Sequence, residues 1–140
     1  MRILGLDVGE RRIGVAVSDA LGLTAQRLSV LERRAPAADL DAIAELVAAQ
    51  QASAVVVGLP LTLKGEHSAQ TTRVAAFIEE LRGHLSCPVH PVDERLTTVQ
   101  AQRALRETDT RARKKGKGFI DQMAAQLILQ SYLDGLPPSS

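Results

Sequence analysis

Tryptophan is absent from this chain, and its aromatic residues are confined to Phe77, Phe119 and Tyr132. So few rings leave no stacking platform for unpaired bases. Cysteine is nearly as scarce: Cys87 stands alone, which excludes an internal disulfide, suits a reducing compartment and reads as a buried strand residue. No apolar run approaches the roughly 20 residues that cross a bilayer. Met1-Arg2 leads straight into apolar sequence without a signal-peptide pattern. The cytoplasm is therefore the expected location, with no membrane partner. The three histidines, His67, His84 and His90, lack metal-ligand spacing, and no Cys/His cluster exists. Excess charge is missing too: a net charge of +1 is too small to announce a polyanionic partner by itself.

What is present is ordinary for a globular chain. At 140 residues, with 45% apolar and 24% charged side chains, it can bury one sizeable core. We expect a single domain over residues 1–140, with 136–140 as a frayed tail. Ile3 to Val8 is an apolar run ending at glycine and reads as a buried strand from residue 2 to 8. Gly9-Glu10-Arg11-Arg12 is turn-like, and Ile13 to Ser18 makes a second strand, so the two form a hairpin. Ser18-Asp19 is assigned to the turn that follows, and a third extended stretch runs through Leu28 to Leu31. Pro36 suits an early helical position, with Leu40, Ile43, Ala44 and Val47 at helical spacing as far as Gln51. Ser53 to Gly58 is β-branched and reads as a central parallel strand. Ala69, Val74, Phe77, Ile78, Leu81 and Leu85 mark a second helix, and Cys87 to Val92 a last strand whose prolines point to a sheet edge. A helix from Thr97 or Thr98 to Glu107, a basic loop over 108–118 and a final helix from Phe119 to Leu133 complete the chain. The expected class is α/β, a mixed five-stranded sheet flanked by helices.

Three acids fall at what such a sheet makes its functional end. In open α/β sheets, sites form beyond the carboxyl ends of the parallel strands. Asp7 ends the first strand, Glu94 follows the last strand with Asp93 beside it, and Asp121 is placed in the first turn of the final helix. Ala124, Ala125 and Ile128 follow Asp121 at helical spacing, which turns it toward the sheet. Taken singly, each acid has a bland account: a turn cap for Asp7, a surface ion pair with Arg95 or Arg12 for Glu94, a favourable first-turn charge for Asp121. Taken together, they point to hard oxygen ligands for Mg²⁺ or Mn²⁺. Two such ions ~3.5–4 Å apart would clamp a phosphodiester displacement. The basic stretch Arg111, Arg113, Lys114, Lys115 and Lys117 leads directly into the helix of Asp121 and suits a phosphate backbone, read by shape rather than by base. The segment from Gly58 to Gly65 lacks the Gly-Lys-Ser/Thr of a P-loop and reads as a shaped loop at the same sheet end, with Lys64 near phosphate.

These residues resemble the YqgF/RuvX family of the RNase H-like superfamily. The resemblance is carried by Leu6-Asp7-Val8-Gly9 with Arg12 to Asp19, then by Val57-Gly58-Leu59-Pro60 with Gly65, Asp93 to Thr98, Lys114-Lys115, and Ile120 to Ala125. It spans nearly the whole length in family order. It implies an RNase H-like fold and a divalent-metal nuclease whose acidic residues are Asp7, Glu94 and Asp121, with Asp93 or water as a fourth ligand. Members are described as processing the 5′ end of precursor 16S ribosomal RNA, and also as Holliday junction resolvases. On this reading Arg12, Lys64, Arg95, Arg113, Lys114, Lys115 and Lys117 bind a structured RNA or a branched DNA. Glu10 departs from the small, polar or basic residue expected there, which sets an acid where phosphate contact would fall.

Two other classes compete. Actin-like ATPases and sugar kinases also open on a strand ending Asp-x-Gly, but they need two lobes around a nucleotide and this length provides one. A non-catalytic nucleic-acid-binding module would have no use for an inward-facing Asp121. Junction resolution would call for a homodimer, because two strands must be cut.

Overall fold

The structure, a computed structural model, describes residues 2–61, 64–94 and 117–136. The expected helix over 97–107, most of the basic loop with Arg95, Arg111, Arg113, Lys114 and Lys115, and the last residues of the tail lie outside the described residues.

Strand β1 (Arg2–Val8), central in the sheet, has apolar side chains on both faces because helices cover both faces. It pairs antiparallel with β2 (Arg12–Ser18), from Leu4 opposite Val17 to Val8 opposite Ile13. It pairs parallel with β4 (Ala52–Leu59), ending at Leu6 opposite Val57. β3 (Ala25–Glu32) lies outside β2, and β5 (Val89–Asp93) lies parallel to β4, giving the order β3-β2-β1-β4-β5. The prolines of the last strand do sit at a sheet edge, where a missing N–H costs no ladder bond.

Alternation along the strands sorts side chains between two layers. Leu4, Leu6, Val8, Ile13, Val15, Val17, Val55 and Val57 pack beneath α1 (Pro36–Gln50) and α2 (Ala69–His84). Ile3, Ala16, Val56 and Val92 pack beneath α3 (Lys117–Asp134) on the opposite face. α1 begins at Pro36 as expected, and Gln51 ends it in the left-handed conformation at φ 53°. α2 opens on a reciprocal cap between Ser68 and Thr71. It buries Val74, Phe77, Ile78 and Leu81 at helical spacing.

Three sequence expectations are corrected. The final helix starts at Lys117 rather than Phe119, so Lys117 is helical and Asp121 lies beyond the first turn. First-turn placement therefore gives no account of that acid. Cys87 is half-buried in a bend before β5, not inside the strand, because Pro88 delays the strand until Val89. Burial still pushes its thiol pKa up.

The β2–β3 turn follows the role expected of Asp19. Its carboxylate accepts the Leu23 N–H at 2.7 Å and the Thr24 N–H at 3.2 Å, and Gly22 supplies the positive φ of 72°. These donors, Leu23 foremost, hold the Asp19 carboxyl below the usual carboxylate range. A lowered pKa stabilises the turn above that range, and the contribution is lost as pH falls through the folded value. Titration followed at the Leu23 amide should give a midpoint below the ~3.9 of a free aspartate. A midpoint at or above that value would remove this role from Asp19.

Candidate active site

Asp7 is the last α3-facing residue of β1, on the same face as Ile3 and Gly5. It is buried, with 7% of its surface exposed. Its partner across the hairpin is Gly14, and on the β4 side the pairing ends at Leu6–Val57, with Gly58 the next residue of β4. Asp7 thus pairs with one glycine, and a second follows where its neighbour's pairing with β4 stops.

Those glycines explain how the other acids come near. A Cβ on Gly14 would stand 2.0 Å from the Asp121 carbonyl oxygen, so the α3 backbone rests directly on that position. A Cβ on Gly58 would stand 2.6 Å from Glu94 Oε1, so the Glu94 carboxylate fills the space that glycine leaves. Gly5, one pleat back, lets Leu129 approach to what would be 2.7 Å. Close approach of another backbone is the usual reason for glycine inside a strand. Glu94 lies just past β5 and is almost fully buried, at 1% exposure.

Asp121 is held differently. Its Oδ2 accepts a hydrogen bond from Arg12 Nε at 3.0 Å, an ion pair that is about three-quarters buried on both sides. Arg12 begins β2, 109 residues away in sequence. It takes Asp121 as its carboxylate partner in this pair. α3 is fixed along the sheet by two glutamines one turn apart: Gln126 donates to the Ala25 carbonyl, while Gln130 accepts the Ala25 N–H and donates to the Leu23 carbonyl. Arg27 lies over the Phe119 ring at 4.9 Å, near the helix start.

The structure thus places Asp7, the Glu94 carboxylate over Gly58 and the Asp121 backbone over Gly14 on the α3-facing side of the sheet, with the Asp121 carboxylate turned to Arg12. Among the described residues, no three His, Cys, Asp or Glu side chains are spaced to hold a metal ion. Lys64 is exposed in the loop after β4, at the sheet end where β1 and β4 also finish.

Comparison with known proteins was decisive on kinship. The sequence profile of RuvX, described as "Holliday junction resolvase", matches residues 1–135. The chain belongs to the RuvX family. RuvX relatives include a protein of Moorella thermoacetica, 51% identical over 136 residues and covering 97% of this chain and 96% of the relative. Another, of Chloroflexus aggregans, is 48% identical over 132 residues, covering 94% and 92%. Both carry the name "Putative pre-16S rRNA nuclease". Among solved structures, a fowlpox virus Holliday junction resolvase superposes with a TM-score of 0.57 at 14% identity, over 97% of this chain and 100% of that one. Thermus thermophilus RuvC bound to a Holliday junction substrate superposes at 0.54 and 14%, over 96% and 94%. The fold of this RuvX chain is therefore the RNase H-like fold of those resolvases, and its family is one of nucleases.

Sequence reasoning missed the support behind the β1–β2 turn in this RuvX chain. Arg33 Nη1 donates to the Gly9 carbonyl at 3.0 Å, and Arg33 Nε donates to Asp39 Oδ2 at 3.2 Å. The same guanidinium lies 5.2 Å from the Phe77 ring centroid. Asp39 is buried and also accepts the Arg34 N–H. The signal was an acid in the first turn of α1 just after two arginines, a pattern that ordinarily serves only the helix dipole. Asp7 therefore precedes a turn that is tied to α1 and packed on α2. Such ties keep a functional side chain near its working geometry.

Proposed function

We propose that this protein is a divalent-metal-dependent endonuclease that hydrolyses phosphodiester bonds in structured nucleic acid. We place its work in the cytoplasm at the 5′ end of precursor 16S ribosomal RNA, the substrate its relatives are named for. The observation that carries this reading is the burial of two acids, Asp7 and Glu94, on the α3-facing side of the sheet, the Glu94 carboxylate over Gly58 and the Asp121 backbone over Gly14 beside Asp7.

Carboxylates are hard oxygen donors of the kind that suits Mg²⁺ or Mn²⁺. The space that Gly58 leaves for the Glu94 carboxylate fits such a role, since a side chain there would displace it. In our assignment Asp7 and Asp121 hold the ions, two of them, and Glu94 completes the site and orients the attacking water. A bound divalent ion supplies charge stabilisation on the phosphoryl oxygens and favours ionisation of the attacking water. Arg12 competes with any cation for Asp121, because the two share a direct ion pair. Arg12, which pairs directly with Asp121, can also meet a phosphate there. Arg95, Arg113, Lys114, Lys115 and Lys117, with Lys64, then hold the flanking backbone.

The second reading is resolution of branched DNA, favoured by the family description and by superposition on junction resolvases. It requires a homodimer. The test is a cleavage panel of a precursor 16S 5′-end transcript, four-way DNA junctions and single strands, each with Mg²⁺, Mn²⁺ or EDTA, with sedimentation of the same sample. We expect cleavage of a structured probe leaving a 5′-phosphate, abolished by EDTA. Binding that survives EDTA, with no cleavage of any probe under either metal, would sink the nuclease assignment and favour a binding module.

A further inference from the structure

On the other side of the sheet end from the carboxylates lies a cleft of about 270 Å³, behind the β1–β2 turn. Its floor is Val8 and Val74, and its walls include Gly9, Glu10, Arg33 and Arg73. We propose that this cleft is a second phosphate subsite, which takes a backbone phosphodiester adjoining the one at Asp7, with Glu10 as its gate. The proposal rests on the nuclease reading and extends it.

Position comes first. Asp7 faces α3 and Val8 faces α1 and α2, so the chain here rounds the sheet end from one face to the other. Gly9 is two residues beyond Asp7, a reach of at most roughly 7 Å for extended chain. A nucleic-acid strand laid across the carboxylates therefore continues onto this cleft within about one nucleotide.

Chemistry comes second. Arg33 is held in place by Asp39, the Gly9 carbonyl and the Phe77 ring, so its guanidinium is oriented in advance. Arg73 lies in the second turn of α2, whose first turn carries no acid to offset the positive end of the helix. Its partner is Glu10, at 3.3 Å, and these two side chains are exposed at 61% and 80%. An exposed pair of this kind is weak and solvent-screened. A phosphodiester can accept two parallel N–H bonds from Arg73 in place of that single longer contact. When Glu10 swings out, the two arginines face the cleft against Asp39 alone, and the balance becomes positive. Glu10 is thus a carboxylate standing where phosphate belongs, which gives a physical role to the departure noted in the sequence. The volume exceeds the ~30 Å³ share of a water several times over, enough for a hydrated phosphate group.

The test is fluorescence anisotropy in EDTA, over a salt series, with two probes: a precursor 16S 5′-end transcript and a four-way DNA junction. Arg73→Ala should weaken binding about fivefold and lower the salt slope by about 1, the signature of one lost phosphate contact. Glu10→Gln should tighten binding about two- to threefold by opening the gate. Arg2→Ala, at the far end of β1 beside Gln50, is the control and should change neither quantity. Arg73 and Glu10 are exposed, so both variants should fold, which melting curves will verify. Binding of Arg73→Ala that matches Arg2→Ala in affinity and slope overturns the subsite. If that happens while Asp7→Asn still abolishes cleavage, the nuclease reading stands without it. A wild-type protein that neither binds nor cuts either probe overturns both.

Discussion

Asp7→Asn is expected to lower metal-dependent cleavage on the order of a thousandfold or more, while the melting temperature changes by only a few degrees. Asparagine matches aspartate in shape and keeps one carbonyl oxygen, so packing at the end of β1 is preserved. What disappears is a negative charge on a side chain with 7% exposure. A buried charge is expensive to the fold and is retained where function uses it. The two readouts therefore separate the possible roles of Asp7. A structural acid would lose stability and leave the rate intact; a cation ligand does the reverse. Wild-type cleavage by Asp7→Asn under Mg²⁺ and Mn²⁺ would remove Asp7 from the site.

The second large effect is on stability. Gly14→Ala should cost about 3 kcal/mol or more, a fall in Tm of roughly 10 °C. The added methyl would meet the Asp121 carbonyl oxygen at 2.0 Å and its carbon at 2.3 Å. These are backbone atoms of a helix anchored by Gln126, Gln130 and Leu129, so they cannot yield by a rotamer change. Relief requires moving α3 off the sheet. Gly58→Ala offers the contrast: its methyl would meet Ile128 Cδ1 at 2.5 Å and Glu94 Oε1 at 2.6 Å, both side-chain ends that can turn away. That variant should lose proportionally more activity than stability, because turning Glu94 away leaves the fold in place. Calorimetry and cleavage rates on the two proteins would decide. Equal Tm for Gly14→Ala and wild type would contradict the close seating of α3.

The contrast also shows what a sequence of this kind discloses. Strands β1, β2 and β4 were legible because apolar runs bounded by turns are a local signal, and α1 because Pro36 and the spacing after it are local too. Asp7 stood out because an acid at the end of such a run is out of keeping with its neighbours. Gly14 and Gly58 did not stand out. A glycine in a strand reads as a weakness until the atoms above it are known, and those atoms belong to residues far along the chain. The Arg12–Asp121 pair spans 109 positions and was hidden for the same reason, with Glu94 an equally plausible partner on paper. Cys87 was misplaced because its apolar neighbours suggested a longer strand, whereas the strand begins at Val89, with the Pro88 carbonyl accepting the Val55 N–H just before it. The Arg33 support was missed because its three contacts come from the β1–β2 turn, α1 and α2, elements brought together only by the fold.

Among the described residues α3 is the helix that covers one face of the sheet, which has a consequence for the order in which the molecule comes into being. All five strands, with α1 and α2, are encoded before residue 94, and synthesis proceeds from the N-terminus at ~5–20 residues per second. A nascent chain that has not yet released residue 117 can pair its strands and bury Leu4, Leu6 and Val57. It lacks the α3 side chains that pack on Ile3, Ala16, Val56 and Val92. That intermediate is sticky, and it carries Asp7 and Glu94 without Asp121. The α3 segment closes the second core and, on the proposed assignment, brings the third carboxylate. On that assignment a chain lacking α3 would lack one carboxylate and leave the apolar face that α3 covers open.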